Sequence, residues 1–97
     1  MKSTNEYLTL LRQYMDSHAG KYGIVRMGIF GSVARGEQTE NSDVGICFEA
    51  PAPNLLTLAR IKFDLEALLG SRVDLVRLRD RMDEYLKRNI EKEALYV

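Results

Sequence analysis

The sequence predicts a small α/β (α+β) domain: a mixed three-stranded sheet flanked by about four helices. Three observations predict it. Short apolar stretches rich in β-branched residues recur at 24–30, 44–48 and 72–77. Segments with apolar residues at helical spacing lie before, between and after them. Gly and Pro punctuate the boundaries. With 97 residues, 45% of them hydrophobic, the chain is expected to be one domain spanning 1–97 with one modest core.

Tyr7, Leu8, Leu10, Leu11, Tyr14, Met15 and His18 follow i, i+3, i+4, i+7 spacing and predict an amphipathic helix. Ser3 or Thr4 can cap it, and Gly20 is the expected stop. Ile24 to Phe30 reads as a strand, with Gly28 allowing close approach of another group. Ser32 suits an N-cap, so a short helix is expected to begin there. Glu37 to Ser42 is a polar loop. Val44 to Phe48 is the second strand, with Asp43, Gly45, Cys47 and Glu49 on the face opposite its apolar residues, and Pro51 and Pro53 end it. Asn54 to Leu69 is the clearest helix, with Asn54 as N-cap and Gly70 just past its end. Arg72 to Arg77 is the third strand, with Val73 and Leu75 facing one way and Asp74 and Val76 the other. Arg79 to about Leu95 reads as a polar helix, broken near Asp83, and the apolar final residues dock on the domain or meet a partner. The strand–helix–strand unit from Asp43 to Arg77 is long enough for a right-handed parallel crossover. The first two strands, joined by a short link, are expected to pair antiparallel.

Fourteen basic residues balance fourteen acidic ones, which argues against tight non-specific nucleic-acid binding. The balance is uneven along the chain: Lys21 to Arg35 holds bases and no acid, Glu37 to Glu49 acids and no base. The single cysteine, Cys47, excludes an internal disulfide and reads as core or pocket wall. No apolar run approaches the roughly 18 residues of a membrane span, and no signal-peptide pattern opens the chain, so a cytoplasmic protein is expected.

The chemistry concentrates in Gly31-Ser32-Val33-Ala34-Arg35-Gly36 and in Asp43. Gly31 and Gly36 let backbone approach a ligand, and free N–H groups at a helix start bind phosphate oxygens. Ser32 can donate to the same anion, and Arg35 either adds a charge-assisted bond or clamps a nearby loop. Asp43 and Asp74, on two strands, are candidate ligands for Mg²⁺, which neutralises phosphate charge and polarises the group under attack.

Gly31-Ser32, ten residues, then Asp43, with a later strand carboxylate at Asp74, resembles the nucleotidyltransferase superfamily that includes DNA polymerase beta. The Gly-Ser-x-Ala-Arg-Gly-Glu wording resembles its minimal nucleotidyltransferase (MNT) branch. The resemblance covers nearly the whole chain and implies the nucleotidyltransferase fold. It implies that Gly31 and Ser32 hold a nucleoside triphosphate, in the first place ATP, with Arg35 and Gly36 of the same turn as further candidate nucleotide contacts. It implies that Asp43 and Asp74 are catalytic and ligate Mg²⁺, one or two ions, and that Asp74 helps activate the attacking hydroxyl. MNT proteins of this type pair with HEPN-domain toxins, and some transfer AMP to a tyrosine of the HEPN partner. The implied function is therefore an Mg²⁺-dependent transfer of a nucleoside monophosphate to a hydroxyl on a HEPN-type partner, as its antitoxin.

The chain departs from the family's Asp-x-Asp pattern at Gly45, which removes one anionic ligand on the face that Asp43 occupies. Glu49 lies about 13 Å further along an extended strand and is too far to replace it. Glu37 and Glu40, in the preceding loop, could fold back. The alternative implied by Gly45 is a module that keeps the fold and neutralises its partner by binding without catalysis. On either reading, metal binding is expected to be weakened.

Overall fold

The computed structural model describes residues 2–97. The first helix, α1, spans Thr4–Tyr22. Its start is a capping box: the Ser3 hydroxyl accepts from the Glu6 N–H, and the Glu6 carboxylate accepts from the Ser3 N–H. Gly20 does not stop it. The helix runs on to Gly23, which takes the left-handed conformation at φ 67° and donates its N–H to the Ala19 carbonyl. A glycine inside a helix costs only about 1 kcal/mol, so the left-handed position, not the first glycine, sets the end.

Strand β1 (Arg26–Phe30) pairs antiparallel with β2 (Val44–Glu49), as expected from the link between them. Helix α2 (Leu55–Leu69) has Asn54 accepting from the Thr57 N–H at its start and Gly70 at φ 68° at its end. It is the crossover to β3 (Val73–Arg77), which pairs parallel with β2. Helix α3 begins only at Glu84, capped by Asp83, and ends at Glu93.

Two expectations about element number are corrected. The sheet has four strands in the order β3-β2-β1-β4, because Leu95–Tyr96 docks on β1 as a short antiparallel β4. Among the described residues there are three helices. The segment after Ser32 makes one helical turn and closes at once. Glu37 N–H donates to the Ser32 carbonyl and Gly36 N–H to the Val33 carbonyl, with Gly36 at φ 71°, so an αL glycine cap ends the helix before a second turn forms.

Helices α1 and α2 cover one face of the sheet. Met27, Ile29, Val44, Ile46, Phe48 and Val73 point into that layer and meet Leu11, Tyr14, Ile61, Leu65 and Leu69. Tyr14 and Tyr22 both donate to Asp64, tying α1 to α2. His18 stacks on the Tyr14 ring at 4.3 Å between centroids. On the opposite face Cys47, Leu78 and Ile90 form a smaller cluster with Phe30, Val76 and Tyr96 at its edge. No helix among the described residues is long and apolar enough to cross a membrane.

Candidate active site

The register of the sheet brings three positions into one row. Phe30 of β1 lies opposite Gly45 of β2, and Gly45 lies beside Asp74 of β3. Alternation then puts all three on the face away from α1 and α2. Asp43 precedes β2 by one residue, and Val44 N–H donates to the Arg72 carbonyl at 2.9 Å. The Gly31-Ser32 turn leaves β1 at this same end of the sheet. The topology thus gathers the turn, Asp43 and Asp74 from three strand ends.

The turn presents backbone donors of the kind that hold anions. Gly31 sits at φ 80°, a conformation that side chains strain, and carries the chain sharply off β1. Among the described residues the N–H groups of Ser32, Val33 and Ala34 have no protein acceptor, as at any helix start. The Val33 side chain is wholly buried in the α1/α2 core, and the Thr4 hydroxyl donates to its carbonyl, which anchors the turn from below. The Arg35 guanidinium donates to Glu37 at 2.6 Å and to Glu93 at 2.9 Å. The first of these carboxylates, then the second, hold it firmly in its charged form. Of the two roles open to Arg35, the hydrogen bonds support that of a loop clamp.

Asp43 and Asp74 are both exposed, and Arg72 pairs with Asp43 at 3.2 Å. The two acids occupy diagonal positions on neighbouring strands, roughly 8 Å apart at the backbone. Position 45 is not open space between them. A side chain built there would place its Cβ 2.8 Å from the Phe30 carbonyl oxygen and 3.0 Å from the Phe30 ring. The aromatic ring has closed over the glycine. Glu37 turns to Arg35, so it does not stand in for the missing acid. Among the described residues no group of three or more His, Cys, Asp or Glu side chains is placed to hold a metal. Mg²⁺, however, is commonly held by one or two carboxylates together with substrate phosphates and water. Asp43, Asp74 and a triphosphate fit that description for one ion.

Cys47, one row further along the sheet, is fully buried. Burial pushes its thiol up to about 11, so it is a core residue rather than a nucleophile.

The profile of the nucleotidyltransferase domain matches residues 8–97. The chain belongs to this family. As a nucleotidyltransferase it has full-length relatives. The protein adenylyltransferase MntA of Thermococcus cleftensis is 34% identical over 98 residues, spanning 100% of this chain and 98% of that protein. A Methanocaldococcus jannaschii protein, provisionally named a protein adenylyltransferase, is 36% identical over 101 residues, and the match spans both in full. A solved structure provisionally described as a minimal nucleotidyltransferase superposes with a TM-score of 0.80 at 38% identity, covering 97% of this chain and 95% of that one. A crystal structure of a toxin–antitoxin with AMP-PNP gives a TM-score of 0.71 at 25% identity, covering 98% of this chain and 72% of that one. Nucleotidyltransferases of this family generally use Mg²⁺.

Three residues of the site escaped sequence reasoning. Phe30 adjoins the Gly-Ser pair, but its cover of Gly45 follows from the β1–β2 register alone. Arg72 meets Asp43 only through the parallel pairing of β2 and β3. Glu93 reaches the turn from 62 residues away, and no local pattern announces it.

Proposed function

We propose that this nucleotidyltransferase is an Mg²⁺-dependent protein adenylyltransferase that moves AMP from ATP to a hydroxyl of a HEPN-type toxin, and so acts as its antitoxin. The observation that carries the reading is the alignment with MntA over the whole chain. The likeness to a toxin–antitoxin structure with AMP-PNP supports both the nucleotide and the kind of partner.

On this reading the triphosphate lies on the N–H groups of Ser32, Val33 and Ala34 and on the Ser32 hydroxyl, with Gly31 and Gly36 keeping the backbone close. Asp43 and Asp74 would hold one Mg²⁺, which when bound neutralises phosphate charge and makes the α-phosphorus more electrophilic. The acceptor hydroxyl oxygen bonds to the α-phosphorus, the bond to pyrophosphate breaks, and the hydroxyl proton passes to an Asp74 carboxylate oxygen. Asp74 is exposed, so a protein hydroxyl can reach it. We read residues 1–97 as one domain, a reading that the single four-stranded sheet supports.

The test is transfer of labelled AMP from ATP to the neighbouring HEPN-type gene product, with and without Mg²⁺. Label on the toxin only with Mg²⁺ is the expected result. A stable complex with no label under either condition would overturn catalysis and return the binding-only module that Gly45 suggests.

A further inference from the structure

We infer that Glu93 is a positioning residue for the phosphate-binding turn: it braces Gly31 and Arg35 without touching the nucleotide. The inference rests on the adenylyltransferase reading only for what the turn binds. One carboxylate spans the turn. Its Oε1 accepts from the Gly31 N–H at 2.9 Å, and its Oε2 accepts from Arg35 Nη1 at 2.9 Å. The two ends of the turn are thereby tied to one rigid group, and a charge-assisted bond to a backbone N–H holds more strongly than a neutral one.

The side from which Glu93 approaches decides between brace and plug. In the order β3-β2-β1-β4, Asp43 and Asp74 stand on the β2 and β3 side of the turn. Glu93 ends α3, one residue before β4, on the other side of β1. It takes the Gly31 N–H and leaves those of Ser32, Val33 and Ala34 without a protein acceptor. Arg35, already bound to Glu37, has its charge answered twice and belongs to the brace.

Glu93 is delivered by the docking of β4. Leu95 and Tyr96 pair with Ile29 and Gly28, and Val97 N–H donates to the Met27 carbonyl at 3.0 Å. That approach needs a glycine, since a Cβ at position 28 would stand 2.9 Å from both the Leu95 carbonyl oxygen and the Tyr96 ring. The Tyr96 ring is in turn fixed beneath Arg26, at 4.4 Å. The last strand, far from the motif in sequence, therefore sets the shape of the turn that the motif names.

The experiment compares the full chain with Glu93→Ala, Arg35→Ala, the double variant and Glu93→Gln, which keeps an acceptor for Gly31. Amide exchange across 31–37 and steady-state AMP transfer are read on each, with a melting curve to confirm folding. In each alanine variant, loss of the charge-assisted bonds should speed turn exchange and raise KM for ATP about tenfold, with kcat within about twofold. The double variant should go no further than Glu93→Ala, which already removes both bonds, whereas Arg35→Ala alone leaves Glu93 on the Gly31 N–H. Glu93→Gln should recover part of the loss. Unchanged exchange in Glu93→Ala, additive effects in the double variant, or a fall in KM for ATP would overturn the brace, the last outcome marking Glu93 as a plug. If exchange responds as expected but the wild-type chain transfers no AMP, the brace stands and the adenylyltransferase reading fails.

Discussion

The two faces of the sheet obey different rules. On the α1/α2 face, Met27, Ile29, Ile46 and Phe48 have no exposed surface and interlock with both helices. On the other face, the corresponding rows hold Gly28, Gly45, Cys47 and the exposed Asp74. The first face removes apolar area from water, which is what stabilises a chain of this size. The second gives up side-chain volume so that other groups can come close: β4 over Gly28, the Phe30 ring over Gly45. Stability is thus concentrated on one side, and the other is left free to carry a site.

Substitutions on the two faces should separate these roles. Phe48→Ala removes the largest fully buried side chain and should cost about 3–5 kcal/mol in a denaturant titration. A loss below about 1 kcal/mol would mean the helix-covered face does not dominate stability. Asp43→Ala should do the reverse. AMP transfer should fall roughly 100-fold or more, while the unfolding midpoint stays put because Asp43 is exposed. A variant that transfers normally would remove Asp43 from the site.

The thiol on the second face predicts a pH effect with a definite sign. Burial raises Cys47 from 9.0 to about 11 in the folded chain. The folded state therefore keeps its proton where the unfolded state loses it. The stabilising contribution is full below pH 9 and declines as pH rises towards 11, by on the order of 2 kcal/mol. Tyr14, raised by burial and then by Asp64, acts in the same direction at higher pH. Unfolding free energies at pH 8 and pH 10.5, for wild type and Cys47→Ala, measure it; equal pH slopes would rule Cys47 out.

Gly45→Asp is the sharpest test of the missing acid. Its Cβ meets backbone as well as the Phe30 ring, so β1 and β2 must shift, at about 1–3 kcal/mol. Mg²⁺ affinity should nevertheless rise, because a third carboxylate joins Asp43 and Asp74. Calorimetry showing weaker Mg²⁺ binding in a folded variant would mean that position 45 does not face the metal.

Much of the fold was legible because local chemistry specified it. Asn54 and Gly70 bound α2 as their types require, and the alternation of β2 put Asp43, Gly45 and Cys47 on one face. Errors came where two local signals competed. Gly20 was the expected helix stop, but Gly23, three residues on, is the glycine that adopts positive φ. Ser32 starts a helix, but Gly36 closes it within a turn. The candidate site was legible in its motif residues, which carry their chemistry in their own side chains and backbone. Phe30, Arg72 and Glu93 were not, since each acts through a partner that sequence distance conceals.

By itself the sequence determined the order of the long helices and the strands up to α3 and the antiparallel and parallel pairings, and it named the candidate residues for phosphate and metal. These depend on propensity, periodicity and spacing, which are properties of neighbours in the chain. Only the tertiary structure decided that Leu95–Tyr96 is a strand, that Phe30 fills the space of the absent carboxylate, and that Glu93 holds Gly31 and Arg35. Those contacts arise when the register of the sheet brings distant residues within 3 Å or so, a condition set by backbone pairing and by the missing Cβ atoms of two glycines.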